Sequence, residues 1–136
     1  MRFVSNHVSR LFARRLDDSG VTVAEWVMLR EMYDRNGMSP SELADATGMT
    51  RGAVSKLVDR LVGKKLMSRR ESRDDRRFQD IDLTEAGRRL VPKLAAIADR
   101  NDEEFFAPLS GREREALVAT LKKIVEAHSL HKVPMD

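Results

Sequence analysis

Residues 50–65 read as one helix with two unlike faces. Val54, Leu57, Val58 and Leu61 fall at i, i+3, i+4 and i+7, the spacing of an apolar stripe. The other side offers Arg51, Gly52, Ser55, Lys56 and Asp59, with Arg60 towards the flank. A chain holding this segment must cover the stripe and leave a basic face open. What surrounds the segment narrows the solution further. A shorter helix is expected over about 40–47, ended by Gly48, so the turn between the two is short, as a helix-turn-helix requires. Two strand-like runs follow, 66–70 and 78–83, the second alternating apolar and polar with period two. The charged link between them, about 71–77, is expected to form a hairpin tip, and a lone hairpin needs helices to lean on.

Charge is concentrated on the same stretch. Residues 50–77 hold ten Lys/Arg against four Asp/Glu, +6 in a chain of net charge +3, so the remainder carries −3. A basic segment on a mildly acidic body is the footprint of a duplex binder. Aromatic residues are 5% of the chain, too few for a single-strand binder built on stacking platforms. The absence of cysteine excludes disulfides, thiolate metal sites and a thiol sensor. The 136 residues suit one domain with a core of ordinary size. No apolar run approaches a bilayer span of about 20 residues. The first residues lack the apolar stretch of a signal peptide, so a cytoplasmic location is expected.

Helix starts are well marked elsewhere. Thr22 with Glu25, Ser39 with Glu42 and Ser110 with Glu113 each fit a capping box, in which hydroxyl and carboxylate satisfy each other's free backbone N–H groups. Pro40 suits the first helical position after Ser39. The expected helices are about 2–17, with a stripe of Val4, Val8, Leu11 and Phe12, and about 22–35. The apolar residues of the latter, Val23 and Trp26 to Tyr33, point in most directions, so it should be covered on most sides. A long helix is expected over about 84–106, kinked or broken near Pro92, and a last one over about 111–128 with Leu117, Leu121 and Ile124 nearly in heptad register.

The fold class is therefore mainly α with a small two- to three-stranded β-wing. A winged helix-turn-helix spans 22–84. The helices of 1–21 and 85–136 carry apolar stripes that this unit does not need, and a second copy of the chain would bury them. Two recognition helices one duplex turn apart would read a near-palindrome, where one reads only a few base pairs.

On the expected recognition helix, Arg51, Ser55 and Lys56 can reach base edges, and Arg or Lys to guanine is the commonest specific pairing. Gly52 allows close backbone approach, Arg60 stands at the flank, and Thr50 can cap the helix or bond a phosphate. In the wing, Arg73, Asp75, Arg76 and Arg77 are the candidate contacts. An arginine at the tip suits the narrow minor groove of A·T-rich DNA, and Asp75 can hold a guanidinium in a fixed direction.

Leu43-Ala44-Asp45-Ala46-Thr47-Gly48, Val54-Ser55-Lys56-Leu57-Val58-Asp59-Arg60-Leu61, Asp75-Arg76-Arg77 and Leu83-Thr84-Glu85-Ala86-Gly87 stand in the order and spacing of the MarR family of bacterial transcriptional regulators. The resemblance covers nearly the whole chain. It implies a homodimer joined through the first and last helices, repression of nearby genes, Arg77 as the wing arginine and Asp75 as its partner. It also implies release of DNA by a small aromatic or phenolic ligand between the dimerisation and DNA-binding parts. His7, Arg10, Trp26 and Arg30 are the candidates for that pocket, although Trp26 reads first as a core residue and the others as surface or ion-paired. The lack of cysteine removes the thiol-oxidation mode of some members. The chain also opens directly in helix one, so contacts made elsewhere by a longer N-terminal arm are not expected.

Two other classes compete with this reading. A winged-helix module for protein interaction, without a DNA target of its own, is disfavoured by the basic concentration. A metal sensor would need ligands from His7, His128, His131 and carboxylates. No Gly-rich phosphate loop, nucleophile elbow or His-Glu metal signature is present, so neither enzyme activity nor a cofactor is expected.

Overall fold

The structure is a computed structural model describing residues 1–71 and 79–128. Six α-helices and a hairpin follow one another: α1 (Arg2–Leu16), a 3-10 turn (Asp17–Ser19), α2 (Val23–Tyr33), α3 (Pro40–Thr47), α4 (Arg51–Gly63), β1 (Met67–Glu71), β2 (Gln79–Leu83), α5 (Glu85–Phe105) and α6 (Gly111–Ala127).

The helix starts follow from local chemistry. Thr22 and Glu25 form the full capping box at α2, as do Ser110 and Glu113 at α6. At α3 the Ser39 hydroxyl accepts from the Glu42 backbone N–H and Pro40 occupies the first turn, while the reciprocal bond from the Ser39 N–H is absent among the described hydrogen bonds. Proline at that position already fixes the backbone, so the second half of the box is dispensable. The Thr50 hydroxyl caps α4 by accepting from the Ala53 N–H at 3.1 Å.

Three expectations are corrected. α4 ends at Gly63, not at residue 65, because Lys65 takes a left-handed backbone with φ 62°. Leu66 N–H then reaches back to the Leu61 carbonyl, which closes the helix end. α5 is not broken at Pro92 but runs as one helix of 21 residues. Val91 and Leu94, on either side of the proline, are buried in one core and hold both halves against it. α2 is less covered than its composition suggested: Trp26, Met28, Leu29 and Met32 are buried, whereas Val23 and Tyr33 are open.

β1 and β2 pair antiparallel, from Met67 opposite Leu83 to Glu71 opposite Gln79. Met38 adds a single-residue third strand by exchanging both backbone hydrogen bonds with Ile81, at 2.9 and 2.8 Å. Alternation puts Met67, Ile81 and Leu83 into the core. There they meet Leu43 of α3, Val54, Leu57, Val58 and Leu61 of α4, the buried side of α2, and Val91 and Leu94 of α5. The hairpin stem and α4 thus rest on one shared core, which sets the position of the wing relative to the helix.

Of the terminal helices, α1 joins that core through Leu16, with Phe12 packed against it, and α6 stands apart from it. Leu16 is the one fully buried side chain of α1, and α6 buries none. Phe3, Val4, Leu117, Val118, Leu121 and Ile124 are exposed. An apolar cavity of about 680 Å³ lies among Val4, Val8, Phe105, Phe106, Leu117 and Leu121.

Candidate nucleic-acid interface

α4 turns the two faces of its sequence in opposite directions. Val54 and Leu61 are fully buried, Val58 and Leu57 nearly so, while Arg51, Gly52, Ser55, Lys56, Asp59 and Arg60 are exposed. The short turn before it rests on Gly48, at φ 73°, and on Thr47. The buried Thr47 hydroxyl donates to the Leu43 carbonyl at 2.7 Å and accepts from the Met49 N–H at 3.4 Å. This turn sets α4 across α3. Thr50 is occupied as the cap of α4, so capping is what the geometry gives it.

The expected contact residues of α4 therefore share one open surface. The wing residues Arg73, Asp75, Arg76 and Arg77 lie outside the described residues. The stem that carries them starts beside α4, where the Arg69 guanidinium of β1 forms an ion pair with Asp59. That pair neutralises the one carboxylate on the exposed face of α4. Arg70, also on β1, donates to the Asn36 carbonyl at 3.1 Å and ties the stem to the end of α2.

Two further ties went unread in the sequence. Glu25, at 1% exposed, receives the Lys64 ammonium on both carboxylate oxygens, at 2.9 and 2.8 Å, and Lys64 also donates to the Gly20 carbonyl at 2.6 Å. Burial pushes the Glu25 carboxyl up, but the hydrogen bonds from Lys64 and Thr22 outweigh it and hold the group below its ordinary value. Arg88 of α5 donates to the Tyr33 and Arg35 carbonyls, at 3.3 and 3.4 Å, and to Asp82 of β2 at 3.0 Å. It joins the C-terminal end of α2 to the base of the wing. Apart from Arg88 to Asp82, six residues apart, these contacts span tens of residues, and no local pattern announces such pairs.

The four candidate pocket residues are not gathered in one place. Trp26 and Arg30 line a cavity of about 420 Å³ with Val27, Glu31, Asp34 and Arg35. Trp26 is largely buried and meets Phe12 edge-on, with ring centroids 6.3 Å apart. His7 and Arg10 do not line that cavity; His7 lies against Phe105, with centroids 6.1 Å apart. His128 caps α6 at its exposed end and His131 lies outside the described residues. Among the described residues no group of three or more His, Asp or Glu could hold a metal ion, and no helix is long and apolar enough to cross a membrane.

Comparison with known proteins converges on one family. A sequence profile of the MarR family matches residues 19–77, which take in α2, α3, α4 and β1. A Thauera aromatica protein assigned as a transcriptional regulatory protein for the hcr operon is 33% identical over 121 residues, 88% of this chain and 73% of that protein. The Staphylococcus aureus MepR–DNA complex is similar with a TM-score of 0.81, at 27% identity over 93% of each chain. Bordetella bronchiseptica BpsR, solved to explain regulation of its DNA binding by 6-hydroxynicotinic acid, is similar with a TM-score of 0.80, at 28% identity over 90% of this chain and 93% of that one. With the fold, the exposed basic helix and these relatives in agreement, the chain belongs to the MarR family of DNA-binding transcriptional regulators.

Proposed function

We propose that the protein is a cytoplasmic homodimeric repressor that reads a near-palindromic duplex and lets go of it when a small aromatic acid binds. The observation that carries the reading is the α4 surface. Arg51, Ser55 and Lys56 stand open on a helix whose other face is locked into the core. That is the arrangement by which a recognition helix presents donors to base edges in a major groove. Arg60, and Arg73, Arg76 and Arg77 of the wing, supply contacts to phosphates and to the minor groove, with Asp75 orienting a guanidinium.

The region of residues 22–84 is the DNA-reading unit, and residues 1–21 and 85–136 are the dimerisation region. The exposed apolar side chains of α1 and α6 support this division, since stripes of this kind on a small chain are covered by association. The ligand site is the cavity beside Trp26 and Arg30, where a guanidinium can meet a carboxylate and the indole an aromatic ring. His7 and Arg10, on α1, would approach it from the dimerisation side. The aromatic-acid class is taken from the ligand of BpsR.

A fluorescence-anisotropy titration of the full chain tests this reading. It uses duplex from upstream of the protein's own gene beside a shuffled duplex, at two salt concentrations, without and with 6-hydroxynicotinic acid. Tight, salt-steep binding that prefers the native duplex supports a sequence-specific regulator. Equal weak binding to both duplexes counts against an operator at that place, and indifference to the acid counts against this ligand class.

A further inference from the structure

Apolar packing holds α4 on the core and sets its crossing angle to within a range of about 15–20°. The contacts of Val54, Leu57, Val58 and Leu61 leave room for small tilts within that range, because burial itself is non-directional. Directional polar ties narrow the angle further, and at the C-terminal end of the helix these are concentrated in one place. Lys64, the residue that ends α4, is held by three acceptor atoms: both Glu25 oxygens and the Gly20 carbonyl. Glu25 is in turn fixed by its bonds with Thr22, the Glu25 N–H donating to the hydroxyl at 3.2 Å and the Thr22 N–H to the carboxylate at 3.1 Å. One buried carboxylate therefore helps to start α2 and holds the cap residue of α4.

Geometry turns this anchor into a lever. The 13 residues of α4 place Arg51, at the base-reading end, about 20 Å from Lys64. A tilt of roughly 5° at the anchored end moves the far end by about 1.7 Å, well beyond the ~0.5 Å range over which an N–H···O bond keeps its geometry. Given the duplex-reading role proposed above, on which this rests, we infer that Glu25 and Lys64 are positioning residues for sequence discrimination. They aim Arg51, Ser55 and Lys56 while Glu25, being buried, never touches DNA.

The paired variant Glu25→Gln/Lys64→Met separates this role from plain stability. It removes both charges together, so no unpaired buried ion is left, and such replacements are commonly neutral for folding. The glutamine oxygen still accepts the Thr22 N–H, which keeps the start of α2. Wild type and variant are each taken through enrichment from a random duplex pool. Their affinities for the wild-type consensus and for its shuffled counterpart are then compared, with thermal unfolding as the fold control. The expected result is a variant that melts near wild type, binds the shuffled duplex within a factor of about two, and loses about tenfold in its preference for the consensus.

Equal loss on both duplexes would make Lys64 a phosphate contact and overturn the inference. So would a folded variant with wild-type preference. The single variant Glu25→Gln keeps the Lys64 charge and must also lose preference; if the paired variant does not fold, this one decides. If neither folds, the pair is structural and the inference fails. A wild type that enriches no consensus would overturn the sequence-specific reading itself, a separate outcome from the loss of the clamp alone.

Discussion

Gly87 stands where α5 passes over the start of β1. A Cβ built there would lie 2.2 Å from the Leu66 carbonyl oxygen, and that oxygen already accepts the Thr84 N–H at 3.1 Å. Alanine in an open helix gains up to about 1 kcal/mol over glycine. Here the clash is with backbone that cannot turn aside, and overpacking costs about 1–3 kcal/mol. Gly87→Ala is therefore expected to lower the thermal midpoint, whereas Gly63→Ala, with nothing within 4 Å of its Cβ, should leave it unchanged or raise it. A stabilised Gly87→Ala would show that α5 can lift off β1. Glu25 gives a second test at this scale. Its folded carboxyl lies below the ordinary value of 4.5. Its contribution is thus complete above that value and is lost as pH falls through the folded value. Urea midpoints measured down the acid limb should fall for wild type and fall less steeply for Glu25→Gln. Identical slopes would place the acid sensitivity in other carboxylates, such as Glu113, which its bonds with Ser110 also hold below the ordinary value.

Among the elements, α4 is where sequence pattern and structure agree most fully. Its apolar positions are all in the core and its expected contact residues are all in solvent. Lys56 lies on the exposed face, so removing it should leave the fold intact. Lys56→Ala is expected to cost about 1–3 kcal/mol of duplex affinity and to relax preference at one base position. A base-by-base competition series checks this, and an affinity loss spread evenly over all sequences would make Lys56 a phosphate contact instead. The wing is fixed at its base by three polar ties, Arg69 to Asp59, Arg70 to the Asn36 carbonyl and Arg88 to Asp82. α5 continues unbroken through Pro92 for the same kind of reason that Glu25 holds Lys64. Partners distant in sequence outweigh a local preference.

At the scale of the whole molecule, the core lies around α2, α3, α4, the hairpin and the first half of α5, with Leu16 of α1, while Phe3 and Val4 of α1 and Leu117, Val118, Leu121 and Ile124 of α6 are left open. The dimerisation role proposed for those helices predicts that Leu121→Glu, on α6, weakens self-association by roughly 2 kcal/mol or more, because a carboxylate would enter an apolar seam. Sedimentation equilibrium measures this directly, and an unchanged association constant would move the interface elsewhere. Since a monomer reads half of a palindrome, the same variant should bind a half-site duplex as wild type does and lose its advantage on the full site.

Short-range chemistry was readable from the chain alone. Thr22, Ser39, Thr50 and Ser110 cap the helices they precede, Gly48 makes the turn, and residue periodicity sorts α4 into two faces. Each of these signals lies within one or two helical turns, so the chain carries it whole. The resemblance to the MarR family rests on the same local runs. The register of Met38 on Ile81, the unbroken course through Pro92, the left-handed Lys65, the partners of Lys64 and the α2-end partners of Arg88 were not readable. The contacts that decide them join residues with no shared local pattern, and packing fixes them only once the core has closed. The candidate site divides along the same line. Its donors on α4 follow from spacing, and the direction in which they are aimed follows from an ion pair on a buried carboxylate between residues 39 apart.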